Sequence, residues 1–282
     1  MKTLNPRVLR LPRNQRGRDF VVGDVHGAFD AVHEAMKAAG FDPTPDRLFS
    51  VGDLVDRGLQ SAYCVEFLAQ PFVYAVRGNH EDLLLEAHGI EGSSATSAVW
   101  IDGAEWWRRE SPAARRRIVA TLKKLPLAIE VETERGSVGF VHADVPRSMD
   151  WGTFCAALER GDTKVQETAL WGRHRIQSGD TSGVPGIGRL FVGHTVQTGE
   201  MRRFGNVYAV DTGAIFGELW GRSHGHVTLV ETKASTVDLD MPRQVSRFDV
   251  RLADTEATFR PFGDYAASNV TPRNPPHPRR KP

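Results

Sequence analysis

The sequence predicts an α/β protein built as an α+β sandwich, two mixed β-sheets flanked by helices, and three observations carry that expectation. Residues 19–80 alternate an apolar run with a helical pattern three times, the tempo of parallel strands joined by right-handed crossovers. Residues 127–230 hold five more apolar runs, several joined by short turns, which suits antiparallel or mixed pairing. The first three runs each end in a block of glycines and acidic, amide or imidazole side chains, where ligands gather beyond the carboxyl ends of parallel strands.

Taken in order, Phe20-Val21-Val22 reads as the first strand. Phe29, Val32, Met36 and Ala39 then stand at helical spacing, and Gly40 ends that helix. Leu48-Phe49-Ser50-Val51 is the second strand, and residues 61–69 form a short helix stopped before Pro71. Phe72-Val73-Tyr74-Ala75-Val76 is the third strand. Over 81–124 the pattern turns helical and irregular, with Trp100, Trp106 and Trp107 clustered; it reads as an inserted cap or lid, or else the tryptophans are ordinary core. The later strands fall at 127–131, 138–141, 190–192, 207–210 and 227–230, with a glycine-rich stretch at 178–188 that reads as a mobile loop. Past residue 233 the periodicity fades, and 271–282, with five prolines and four Arg or Lys residues, reads as a disordered tail. The expected organisation is an arm over 1–18, a main domain over 19–232 and an extension over 233–282.

Composition narrows the function classes. A net charge of +1 argues against nucleic acid or a membrane surface as the main partner, while leaving local basic patches open. No apolar run approaches the length of a membrane span, and residues 1–18 are basic without the apolar core of a signal peptide. Cys64 and Cys155 are too few and too isolated for a disulfide framework or a zinc finger, so both are expected as buried thiols in a reducing cytoplasm.

The chemistry sits in five blocks. Gly23-Asp24-Val25-His26-Gly27 places an oxygen and a nitrogen donor two residues apart in a turn bounded by glycines, a fit for one divalent ion. Gly52-Asp53-Leu54-Val55-Asp56-Arg57-Gly58 adds Asp53, a carboxylate with two oxygens able to bridge two ions, and Arg77-Gly78-Asn79-His80-Glu81 adds the neutral amide oxygen of Asn79. Two later strands end in His142-Ala143-Asp144 and Gly193-His194-Thr195, which supply imidazoles. Asp24, His26, Asp53, Asn79, His142 and His194 make up the ligand inventory of a two-ion site. Two ions about 3.5–4 Å apart lower the pKa of a shared water and clamp the oxygens of an in-line displacement at phosphorus. The mixed oxygen and nitrogen set favours Mn, Fe or Zn over Ca, and three imidazoles disfavour Mg. Singly, a Gly-Asp-x-His turn or a strand-end histidine is an ordinary structural feature. All five blocks in order, each after an apolar run, are not.

Together with Trp171-Gly172-Arg173-His174-Arg175 and Asp211-Thr212-Gly213-Ala214, these blocks resemble the metallophosphoesterase superfamily, specifically its PPP-type phosphoprotein phosphatases. The likeness runs from about residue 19 to 216 and is strongest to the small bacterial and lambda-phage serine/threonine phosphatases. It implies the calcineurin-like metallophosphoesterase fold, a β-sandwich flanked by helices. By that resemblance Asp24, His26 and Asp53 hold the first ion, and Asp53, Asn79, His142 and His194 the second. Arg57, Arg77 and Arg175 would grip phosphate oxygens, for which forked guanidinium donors are well shaped, with Arg173 and Arg189 as rivals of Arg175. His80 would be the general acid that protonates the leaving alkoxide, oriented by Asp56, and Glu81 a helix-start acid. Two departures stand out. His174 occupies a position where relatives carry an acidic residue, and Gly193-His194-Thr195-Val196 lacks the second histidine of the Gly-His-x-His block found in many nucleases and phosphodiesterases of the superfamily. The latter favours the phosphatase branch.

The expected activity is therefore hydrolysis of phosphoserine or phosphothreonine, with phosphotyrosine open, in a phosphoprotein or phosphopeptide, with two divalent ions and Mn first among the candidates. One alternative is a symmetrical dinucleoside tetraphosphate hydrolase using the same metal site, with Trp100, Trp106 or Trp107 stacking on a nucleobase. A third reading is a phosphate-binding protein without turnover. The basic tail adds a weak electrostatic contact for nucleic acid or an acidic partner.

Overall fold

Strands whose residues are buried without alternation need cover on both faces, and Phe20, Val21, Val22, Leu48 and Phe49 are all inaccessible to solvent. The computed structural model, which describes residues 6–88, 103–215, 225–234 and 242–249, shows what provides that cover. β2 (Asp19–Val22), β3 (Arg47–Ser50) and β4 (Val73–Ala75) pair in parallel. β10 (His226–Ala234) joins β2 antiparallel, and β11 (Pro242–Asp249) joins β10, giving a sheet ordered β11-β10-β2-β3-β4. The second sheet is built from β1 (Val8–Leu11), β5 (Ala128–Val131), β6 (Val138–Val141), β7 (Arg189–Val192), β8 (Arg202–Phe204) and β9 (Val207–Ala209), ordered β1-β5-β6-β7-β9-β8. It mixes directions: β6, β7 and β9 run parallel, while β5 and β8 pair antiparallel with their neighbours β6 and β9. This is the expected sandwich.

Three apolar clusters fill the layers. Between the sheets, Phe49, Phe140, Phe191 and Tyr208 form a run of stacked rings, with Phe49 and Phe140 4.6 Å apart at 8° and Phe140 and Phe191 5.7 Å apart at 17°. Outside the first sheet lie α1 (Phe29–Ala38), α2 (Cys64–Leu68), α3 (Asn79–His88), α4 (Glu105–Arg109) and α5 (Pro112–Leu122). α1 buries Phe29, Val32, Ala35 and Met36 on one face, as its spacing predicts. Leu84, Trp106, Trp107, Ile118 and Leu122, from the stretch read as a cap, belong to this same core. Trp106 and Trp107 are buried, so neither presents a face to a nucleobase; Trp100 lies outside the described residues. α6 (Trp151–Arg160) and α7 (Thr163–Trp171) cover the other sheet. Among the described residues no helix is long and apolar enough to cross a membrane.

Several elements differ from the sequence reading. β1 turns part of the N-terminal arm into an edge strand, parallel to β5. The stretch past residue 233 supplies the last residue of β10 and all of β11. Residues 178–188 are tied down: Asn206 Oδ1 accepts from the Val184 N–H at 2.7 Å, Asn206 Nδ2 donates to Val184 O and Ile187 O, and Val184 and Ile187 are buried. The tail over 271–282 lies outside the described residues.

Arg175 also departs from expectation. On α8 (His174–Ser178) it is the largest fully buried side chain among the described residues, and its guanidinium is spent inside the protein. Nε donates to Asp144 Oδ1 at 3.1 Å, Nη1 to Gly183 O at 3.0 Å and Nη2 to Val145 O at 3.4 Å. It clamps α8 and residues 180–184 to the end of β6 and is not presented to a substrate phosphate.

Two outcomes test this packing. Phe140→Ala removes a ring from the inter-sheet stack and is expected to lower stability by about 3–5 kcal/mol, measured by urea unfolding of the metal-free protein. Arg175→Ala leaves Asp144 buried without its cation and is expected to cost about 3–5 kcal/mol in the same assay. An unfolding midpoint unchanged by Arg175→Ala would return that side chain to a surface role.

Candidate active site

Six strand ends open on one crevice. β2 leads to Asp24 and His26, β3 to Asp53 and Asp56, β4 to Asn79 and His80, β6 to His142, β7 to His194 and β9 to Asp211. The turns that deliver them are unusual. Among the described residues, those that hold a left-handed backbone without being glycine are His26 (φ 45°), Asp53 (48°), Asp56 (69°), Arg57 (68°) and His194 (64°). Such conformations are costly for residues with a Cβ and cluster where function over-determines the backbone.

Asp53 lies at the centre. Its Oδ2 is 3.6 Å from His26 Nε2, and its Oδ1 is 3.5 Å from His142 Nε2. Each oxygen of one carboxylate thus faces a different imidazole. Two groups of donor atoms result, His26, Asp53 and His80 in one and Asp53, His142 and His194 in the other, with the atoms of each within 4.8 Å of one another. Asp24 lies beside them, its carboxylate accepting from the His194 N–H at 3.0 Å and bonded to Asp211. Asn79 Oδ1 is 2.8 Å from His142 Nε2.

The imidazoles of His26 and His142 are each held by one ring nitrogen. His26 Nδ1 donates to Val55 O at 2.9 Å and His142 Nδ1 to Val51 O at 2.8 Å, which leaves the Nε2 lone pair of each directed into the crevice. His142 Nε2 and Asn79 Oδ1 then meet as two acceptors, as neighbouring ligands of one cation do. His194 Nε2 is buried without a hydrogen-bond partner among the described residues. Burial holds His26 and His194 down to about 3, and it lowers His142 too, so all three are neutral at physiological pH. Burial and then the charges of Asp211 and Asp53 push Asp24 well above the carboxylate range, and burial raises Asp211 to about 6. Crowded carboxylates, neutral imidazoles and an orphaned ring nitrogen fit divalent cations.

His80 is built differently. Its Nδ1 bonds Asp56 Oδ2 at 2.8 Å, and its N–H donates to Asp53 Oδ1 at 3.0 Å. Burial opposes its charge, but Asp53 and the Asp56 hydrogen bond outweigh it and raise the imidazole above its ordinary value. With Nδ1 engaged by a carboxylate, Nε2 is the atom able to hand over a proton.

Of the arginines singled out in the sequence, Arg57 reaches the cluster, its Nη1 bonding His26 Nε2. Arg77 does not: its guanidinium donates to Asp82 Oδ1 at 3.1 Å and to the carbonyls of Lys123 and Leu125, joining α3 to the end of α5. Arg173, the rival of Arg175, donates to His194 O at 2.9 Å and to Thr195 Oγ1. Glu81 does more than begin a helix. Its carboxylate accepts from the N–H groups of Asp53, Leu54, Val55 and Gly78 at 2.7–3.2 Å, binding the turn after β3 to the turn after β4. Gly78 is required there, because a Cβ would lie 2.2 Å from Asp53 Oδ1. Burial, and then the charge of Asp53, raise Glu81 to about 7. The sequence alone points to neither this role of Glu81 nor any role for Asp211; their positions at strand ends are the available signal.

Similarity to known proteins shows the family. The model of the calcineurin-like phosphoesterase family matches residues 20–152. Serine/threonine-protein phosphatase 1 of Salmonella typhimurium is 34% identical over 203 residues, 70% of this chain and 87% of that protein. A symmetrical bis(5'-nucleosyl)-tetraphosphatase of Actinobacillus succinogenes is 40% identical over 75 residues, only 26% of this chain and 27% of that protein. A protein serine/threonine phosphatase of Saccharomyces cerevisiae has the same fold at 18% identity, with a TM-score of 0.54 over 84% of this chain and 81% of that one. With its strand-end blocks gathered in one crevice and a relative matched along most of its length, the chain belongs to the calcineurin-like phosphoesterases.

Proposed function

We propose that this protein is a metal-dependent phosphomonoesterase that removes phosphate from phosphoserine or phosphothreonine in proteins. The observation that carries the reading is Asp53, whose two oxygens face His26 and His142 separately, an arrangement that would let one carboxylate serve two ions. Asp24, His26 and Asp53 are assigned to the first ion, and Asp53, Asn79, His142 and His194 to the second, with Mn the metal best suited to the mixed donor set. When bound, the two ions activate water and neutralise charge on the phosphate.

The chain's own residues account for the rest. Arg57, beside His26, is placed to bind phosphate oxygens. As water adds at phosphorus, the bond from phosphorus to the side-chain oxygen breaks, and the proton on His80 Nε2 passes to that oxygen. Asp56 holds Nδ1 and stabilises the imidazolium before transfer. The long match to a bacterial serine/threonine phosphatase supports a phosphoprotein substrate, whereas the match to the dinucleotide hydrolase is short. Cys64 and Cys155, both buried free thiols, suit the reducing cytoplasm.

The test is turnover by metal-stripped protein reconstituted separately with Mn, Zn and Mg. Phosphoserine, phosphothreonine and phosphotyrosine peptides are compared with diadenosine tetraphosphate. Orthophosphate release from phosphoserine and phosphothreonine peptides, restored by metal, is expected. His80→Asn is expected to lower kcat by about 10²–10⁴-fold with metal content and unfolding unchanged. Preferential cleavage of the dinucleotide would overturn the substrate and keep the metal site; inertness of the metal-loaded protein toward every substrate would overturn the reading.

A further inference from the structure

Asp56 is fully buried, and both of its carboxylate oxygens are engaged. Oδ2 bonds His80 Nδ1 at 2.8 Å, and Oδ1 accepts from the indole Nε1–H of Trp106 at 2.7 Å. Trp106 is on α4, fifty residues along the chain and outside every strand-end block. A second contact from the same segment holds the next residue: the Arg57 N–H donates to Gly103 O at 2.8 Å. The approach is close enough that a Cβ on Gly103 would lie 2.4 Å from Arg57 N, and Gly103 itself has φ 82°. Asp56 and Arg57 are consecutive residues in left-handed backbone, so the turn most in need of outside support receives it from residues 103–106.

We propose that Trp106 is a positioning residue for proton delivery, its indole N–H fixing the Asp56 carboxylate so that the other oxygen holds His80 in line with the leaving group. The proposal rests on the reading of His80 as the proton donor. A carboxylate with one oxygen anchored has one rotation that serves the imidazole. Without the anchor it turns, and the buried Oδ1 is left unpaired. Trp106 thereby does more than pack, because the α3–α5 region completes the acid side of the site while the strand-end blocks supply the ligands.

Leaving-group chemistry separates positioning from packing. A serine alkoxide is strongly basic and departs only with a proton, whereas p-nitrophenolate departs without one, so loss of an aligned acid is felt by the first substrate alone. Trp106→Phe in the full-length metal-loaded protein is expected to lower kcat on a phosphoserine peptide by about tenfold. KM for the peptide and kcat on p-nitrophenyl phosphate are expected to stay within about twofold. Trp107→Phe is the packing control. It truncates the neighbouring ring, 5.5 Å away at 79°, whose Nε1 has no hydrogen-bond partner among the described residues, and it is expected to show no leaving-group selectivity.

His80→Asn separates the acid from the residue that positions it. If His80→Asn loses both substrates equally, the reading of His80 as the acid fails. If His80→Asn is selective and Trp106→Phe is not, the role of Trp106 fails while His80 stands. Should Trp106→Phe not fold, the indole N–H resonances of nitrogen-labelled wild-type protein carry the test. Asp56→Asn is expected to move one of them strongly, and the absence of any shift would overturn the contact.

Discussion

The contact between the two sheets directly beneath the crevice sets everything above it. Phe49 of β3 and Phe140 of β6 stack 4.6 Å apart, and two residues further along each strand the His142 imidazole donates to the carbonyl of Val51. The ring stack fixes how far apart the sheets stand, and the hydrogen bond fixes their register along the strands. Asp53 follows Val51 in one sheet and His142 follows Val141 in the other, so their 3.5 Å approach is a direct consequence. A slip of one residue in either sheet would turn these side chains to the opposite face. Ligands that come from different sheets therefore need a core that cannot slide. Flat, closely stacked rings give that better than interchangeable aliphatic side chains, because interiors pack as solids do.

The same architecture has to carry a destabilising centre. His26, Asp53, Asp56, Arg57 and His194 sit in left-handed backbone, at about 1–3 kcal/mol each for residues bearing a Cβ. Asp24, Asp53, Glu81 and Asp211 are buried close together, and burial, aided by neighbouring carboxylate charge, raises all but Asp53. Asp53 moves the other way: burial is outweighed by the imidazoles of His142, His80 and His26, of which His80 alone is shifted toward its charged form, and by the His80 backbone N–H. The centre thus concentrates negative charge on the one carboxylate best placed to share two cations. The strain is held by hydrogen bonds from the backbone and from Glu81, which ties four N–H groups of two turns to a single side chain.

Much of this is legible in the sequence, and the limits follow from physics. The eight strands that the sequence predicts are those with apolar residues on both faces, because burial on both sides leaves a mostly apolar run, broken only by Ser50, Glu130 and Thr228. β1, β8 and β11 lie at sheet edges, are short or polar, and carry no such run. α6 and α7 are not among the predicted elements, although Asp150 and Asp162 cap them in the way capping residues do. The residues that meet in the crevice are legible because each follows its strand within a few residues, so local sequence encodes their convergence. Arg175 is misassigned for the opposite reason: the groups that take up its guanidinium, Asp144, Val145 and Gly183, include partners 30 residues away that spacing cannot link to it. Trp106 is invisible as a site residue on the same ground, since nothing in a tryptophan cluster distinguishes an indole N–H with a carboxylate partner from one without.

Chemistry and selectivity consequently occupy different parts of the molecule. The strand ends fix which bond can be broken, and they are held from both sheets and from α3 and α4. The rim is freer. Trp171 is 42% exposed and stands edge-on to His194, with Arg173 bonded to the backbone of the same residue and His174 next to it bonding Arg147. A large apolar face thus stands beside Arg173 and Arg147 at the mouth of the crevice. Trp106 and Trp107 sit on the other side, buried in the core, and contribute through Asp56 and through packing. Of the four side chains at the rim, Arg173 holds the backbone of His194, one of the left-handed residues, and Trp171 stands against its ring, whereas Arg147 and His174 bond each other.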